Sequence, residues 1–122
     1  MEKVEAATRL ALEMQAATNR HDLAAMLRLL SEECILESAL PAPDGTRYAG
    51  KAAVAAYWQA FFDAAPHAAR AVEDVFGQGW HCVLYWHGDV LTASGEVVQR
   101  RGVDVFEVRD GLIRVIKSYV KG

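Results

Sequence analysis

Apolar residues recur at helical spacing through the first half of the chain and alternate with polar ones through the second. Val4, Ala7, Leu10, Ala11 and Met14 fall on one stripe, which predicts a helix from about Glu2 to Ala17. Leu23, Met26, Leu27 and Leu30 form the buried face of a second helix, with Asp22 placed to cap it. Ser31-Glu32-Glu33 then turns the chain into a short strand from Cys34 to Ala39, and Pro41, Pro43 and Asp44-Gly45 mark a loop. A third helix follows Gly50, carries Val54, Tyr57, Trp58, Phe61 and Phe62 on one side, and stops at Pro66. Beyond it the period falls to two. Strands are predicted from Ala69 to Phe76, Trp80 to Leu91, Glu96 to Arg109 and Leu112 to Val120. Gly77-Gln78-Gly79, Ser94-Gly95 and Asp110-Gly111 form the turns between them.

Composition supports the same division. Twenty of the 21 alanines lie at or before Ala71, whereas eleven of the 13 valines follow it. Alanine loses no side-chain entropy in a helix, and β-branched valine suits a pleated surface. Helices first and strands afterwards give an α+β fold rather than alternating βαβ units. The expected architecture is a single domain over residues 1–122. Three N-terminal helices pack on a strongly curved mixed or antiparallel sheet, leaving a cone-shaped pocket between the layers.

Charge and motifs narrow the function. Thirteen Lys and Arg against 16 Asp and Glu leave a net charge of −3, which argues against nucleic acid or an anionic membrane as partner. No apolar run approaches the ~18 residues that span a bilayer, and the charged N-terminus lacks a secretory core. Two cysteines, Cys34 and Cys82, make no disulfide framework, so the reducing cytoplasm is the expected compartment, with both thiols buried and inert. HExxH, CxxC and a glycine-rich phosphate loop are absent, so no metal or cofactor is expected.

Strand pairing decides which side chains share a face. A two-residue Ser94-Gly95 loop would set Tyr85 opposite Asp104 and His87 opposite Gly102. Tyr85, His87 and Asp89 would then share a face with Asp104 and Phe106, giving two carboxylates and an imidazole among aromatics. The other face would carry Leu84, Trp86, Val103 and Val105. A slip of one residue would exchange the faces and bring Trp86 inward instead. Because both faces are largely apolar, the outer one calls for a partner, and a homodimer through it is expected. A carboxylate amid Val103-Asp104-Val105-Phe106 is either a bracing acceptor or a group whose pKa burial raises for acid–base work.

The segments NRHDLAAMLRLLSEECILES, PDGTRYAGKAAVAAYW and RGVDVFEVRDGLIRVIKSYVKG, with this order of elements, resemble the SnoaL-like branch of the nuclear-transport-factor-2-like superfamily. The resemblance covers nearly the whole chain and implies the cone-shaped fold. It also implies that Asp104 matches the aspartic acid that donates to the substrate oxyanion in ketosteroid isomerase. His87 and Asp89 match the Arg-x-Asp of limonene epoxide hydrolase, and a histidine beside an aspartate resembles the SnoaL-type cyclases. Other positions depart from those patterns. Ser38 stands where the isomerase has its base, Met14 where it has its tyrosine, and Ser118 where the hydrolase has its second aspartate. A two-residue Asp110-Gly111 loop would point Lys117 inward, and a three-residue loop Ser118.

The function expected is a cofactor-independent enzyme acting on a small apolar molecule, of isomerase, cyclase or hydrolase type. Asp104, His87 and Asp89 would be the catalytic groups, with Tyr57, Trp58, Phe61, Tyr85, Phe106 and Ser118 against the substrate. The alternative is a non-catalytic ligand-binding or dimeric interaction module of the same fold.

Overall fold

A computed structural model describes residues 2–122. Helix α1 (Glu2–Asn19) buries Ala7, Leu10, Ala11, Met14 and Ala17, the expected stripe extended by one turn. His21, at a φ of 56°, turns the chain, and the Asp22 carboxylate accepts the Ala25 N–H at 3.1 Å to cap α2 (Leu23–Leu29). Helix α3 (Lys51–Ala64) ends two residues before Pro66, because the proline ring excludes helical geometry from the residue preceding it.

The strands form one six-stranded sheet. They are β1 (Leu30–Ser38), β2 (Thr46–Ala49), β3 (Arg70–Gln78), β4 (His81–Leu91), β5 (Val97–Arg109) and β6 (Leu112–Val120), in the order β2-β1-β6-β5-β4-β3. β1 and β6 run parallel; every other pair is antiparallel. Two local expectations are corrected. Ser31-Glu32-Glu33 lies within β1, as an irregularity between Leu30 and Ile35, rather than as a turn before it. Thr46–Ala49, expected as loop, pairs with the end of β1; four residues are too few to carry an alternation of their own.

The β4–β5 register is the correction with the widest consequence. Thr92 and Glu96 exchange backbone contact across a three-residue Ala93-Ser94-Gly95 loop, with Gly95 at a φ of 90°. Glycine in the left-handed region is what such a three-residue hairpin requires, whereas the two-residue loop expected from Ser94-Gly95 does not form. Leu84 therefore faces Asp104, and Trp86 faces Gly102. The whole of β4 turns over relative to the expected pairing, since side chains alternate with period two. At the next hairpin Asp110 and Gly111 do form a two-residue loop, both with positive φ. The register then shifts at Arg114, and this shift, not the loop length, brings Ser118 opposite Asp104.

All three helices cover one face of the sheet, α1 over β3 to β6 and α3 over β1 and β2. That inner face supplies Cys82, Leu84, Trp86, Phe106, Val108, Ile113 and Ile116 to the core. The Trp86 indole lies across Gly102: a Cβ there would sit 2.2 Å from its Cζ2. Gly102→Ala is accordingly expected to cost about 1–3 kcal/mol, read from the urea midpoint, with near-UV circular dichroism showing a displaced tryptophan. An unchanged midpoint would mean the indole has room to yield.

Candidate active site

The site grows from the crossing of β4, β5 and β6 on the inner face. Asp104 is 8% exposed, the one buried carboxylate among the described residues. Trp86, itself fully buried, donates its indole N–H to Oδ1 at 3.1 Å, and the Ser118 hydroxyl donates to the same oxygen at 2.8 Å. Oδ2 has no hydrogen-bond partner among the described residues and is not sealed from solvent. Burial pushes the Asp104 carboxyl above the usual carboxylate range; Arg70 and the two hydrogen bonds oppose this without reversing it. An oxygen that already accepts two donors leaves the other oxygen as the place for a proton, so Oδ2 is the atom that can give or take one.

Arg70, at the start of β3, stacks its guanidinium 3.9 Å above the centre of the Trp86 ring. From α3, Tyr57 comes close enough that Arg70, Tyr48 and Asp104 all act on its hydroxyl, whose pKa burial raises. Tyr48 and Tyr57 pack with ring centres 4.8 Å apart. Trp58 and Phe61 are buried beside them, and the Trp58 indole N–H has no partner. The inner-face cluster is thus a carboxyl with one free oxygen, a cation on an indole, and two phenols, bordered by Phe61 and Phe106.

Several expected members lie elsewhere. Tyr85, His87 and Asp89 project from the outer face, the reverse of the expected arrangement, because of the β4–β5 register. His87 Nδ1 is 3.0 Å from Glu73 Oε2, which Arg101 also approaches at 3.8 Å. Asp89 accepts the Ala69 N–H and the Gln99 side-chain amide, so it ties strand ends together. Tyr85 is 40% exposed and stacks edge-on with Phe76. None of the three side chains reaches the Asp104 cluster; Asp89 touches it only through its backbone carbonyl, which accepts from Arg70 Nε. Ser118 and Phe106 do face inward, as Tyr57, Trp58 and Phe61 do from α3, while Lys117 points outward opposite Val105. Ser38 is buried and bonds to the carbonyls of Leu40 and Thr46 rather than into the cluster. The bracing donors to Asp104 are Trp86 and Ser118, and no arginine bonds to it.

Arg70 is the residue sequence reasoning did not select, and Trp86 entered only as the outcome of a one-residue slip, which is the register the structure has. Glycines mark both: Gly88 stands opposite Arg70 and Gly102 opposite Trp86, and a side chain at either would strike them. Both cysteines are buried, and burial raises their pKa values, which keeps the thiols unreactive. Among the described residues no three His, Cys, Asp or Glu side chains gather as a metal site. No helix is long and apolar enough to cross a membrane.

A model of the SnoaL-like domain matches residues 11–116. An NTF2-like protein of unknown function from Mesorhizobium loti is 32% identical, with a TM-score of 0.81 over 98% of this chain and 94% of that one. A proposed polyketide cyclase from Xanthomonas campestris is 28% identical, with a TM-score of 0.74 over 96% and 91%. An LEH-like epoxide hydrolase of M. tuberculosis shares the fold at 17% identity, with a TM-score of 0.77 over 97% and 84%. No curated protein matches the sequence. With the family model spanning most of its length and the expected layers in place, the chain belongs to the SnoaL-like domain family, in the nuclear-transport-factor-2-like fold.

Proposed function

We propose that this chain is a cofactor-independent enzyme that moves a proton on a small, largely apolar carbonyl compound, bound between α3 and the inner face of the sheet. The observation that carries this reading is the Asp104 carboxyl, held through Oδ1 by Trp86 and Ser118 with Oδ2 left free. As the carboxylate, Oδ2 takes a proton from the carbon beside the carbonyl. Tyr57 donates to the enolate oxygen that results. Asp104 then returns the proton to a different carbon. His87 and Asp89 have no part in it. With a single buried carboxyl, the proton removed is the proton returned, which suits an isomerisation or an intramolecular ring closure better than hydrolysis. Trp58, Phe61 and Phe106 form the apolar walls.

The test is a panel of β,γ-unsaturated ketones and diketones, followed by the absorbance of the conjugated product. Turnover is expected for at least one class, with kcat/KM rising with pH to a plateau whose midpoint lies above the usual carboxylate range. Silence across the panel, with ligands nonetheless binding, favours the second reading. In that reading the same cluster orients a ligand without reacting, as the lack of a second buried acid or base among the described residues favours.

The assembly we propose is a cytoplasmic homodimer through the outer face. Phe76, Tyr85, Val97 and Tyr119 are all 40% or more exposed there, an apolar surface the monomer leaves in water. Tyr119→Asp is expected to convert a dimer to a monomer in sedimentation velocity; a wild-type monomer would overturn the proposal.

A further inference from the structure

Arg70 is placed with more care than a surface cation needs. The Asn19 side chain brackets its peptide, accepting the Arg70 N–H at 2.9 Å and donating to the Arg70 carbonyl at 2.8 Å. Across the strand, Gly88 leaves room for it: a Cβ there would lie 2.6 Å from the Arg70 Cα and 2.9 Å from its Cγ. The guanidinium then rests on Trp86, with Nε donating to the Asp89 carbonyl at 3.4 Å. It makes no ion pair among the described residues, and its two terminal nitrogens have no hydrogen-bond partner there. A guanidinium carries five N–H donors in a planar fork. Here that fork is half-buried, fixed from both sides, and largely unengaged, beside a carboxyl whose Oδ2 is also free.

We propose that Arg70 is an anion-binding group and that the substrate is a small apolar acid, its carboxylate held by the Arg70 fork above Trp86. The proposal rests on reading the Asp104 cluster as the substrate site. A carboxylate matches the planar fork through two parallel hydrogen bonds, which a neutral amide or ketone does not reproduce. The bound anion also raises the tendency of Asp104 to hold a proton, so a fraction of the sites takes one up on binding while the ionised remainder supplies the base.

Calorimetric titration of 3-phenylpropanoate and 3-phenylpropanamide tests this without any need for turnover. Wild type is expected to bind the acid about ten- to a hundredfold more tightly than the amide. Arg70→Met should abolish that preference by weakening the acid far more than the amide, and Arg70→Lys should restore part of it. Asp104→Asn should keep the preference but lose the proton uptake seen on comparing buffers of different ionisation enthalpy. Equal affinity for acid and amide in wild type overturns the proposal, as does failure of both to bind. A preference that survives Arg70→Met also overturns it, and assigns the anion to the open hollow of about 550 Å³ lined by Arg100, Arg101 and Lys121. An acid preference with no catalysis would leave the anion site standing while the enzymatic reading fails. Turnover of neutral ketones, with no acid preference, would do the reverse.

Discussion

Asp104→Asn is expected to lower kcat/KM by a factor of about 10²–10⁴ and, at neutral pH, to raise the melting temperature. Asparagine is nearly isosteric, and its Oδ1 can still accept from both Trp86 and Ser118, so the fold loses no contact. What disappears is the titrating oxygen. The stability gain follows from the direction of the shift. Asp104 has a folded pKa above its unfolded one, so the folded state holds the proton more tightly. From about pH 4 upward, through the folded value, wild type loses stability because a buried carboxylate has to ionise, whereas the asparagine variant does not. The two proteins should converge as pH falls below the unfolded value. Each kcal/mol recovered moves the midpoint of a domain this size by roughly 3–6 °C. Thermal melts across pH check the stability arm, and the enone assay checks the rate. A variant that is less stable at pH 7 would show that the carboxylate is braced in its charged form, which removes the basis for acid–base chemistry.

Trp86→Ala is expected to be the most destabilising single change, about 3–5 kcal/mol out of a total of roughly 5–15 for a domain of this kind. Its indole is wholly buried, spans Gly102, supports the Arg70 guanidinium and supplies one of two donors to Asp104. Four functions meet in one side chain because β4 crosses the middle of the inner face. Trp86→Phe separates them: most of the volume stays and only the N–H is lost. Its expected cost is about 1–2 kcal/mol, the scale of leaving a buried acceptor half satisfied. With one donor gone, the Asp104 carboxylate is less stabilised and its pKa rises further, which moves the midpoint of the pH–rate profile upward. Urea titration and that profile are the two measurements. A cost below 1 kcal/mol for Trp86→Ala would mean the indole is not the centre of this packing.

Much of this molecule is legible in its sequence for a plain reason: helical and strand periodicities are properties of neighbouring residues. The α1 stripe, the Asp22 cap, the end of α3 near Pro66 and the four C-terminal strands all follow from spacings of a few positions. Asp104 stood out on the same ground, as a charge amid apolar neighbours in a strand. Burial of Phe106 and of the aromatic stripe on α3 is equally local.

Which of those residues meet was settled elsewhere. A single residue of loop length at Ala93-Ser94-Gly95 turned β4 over, sending Tyr85, His87 and Asp89 outward and Trp86 inward. A register shift at Arg114 set Ser118, not Lys117, against Asp104. Arg70 reached the cluster from a strand edge only because Gly88 and Asn19, distant in the chain, make a place for it. The sequence by itself determined the three helices, every strand but β2, their order and the presence of a buried acid. Tertiary structure alone decided that acid's company, because strand register depends on turn geometry and bulges, and a shift of one residue carries every side chain to the opposite face.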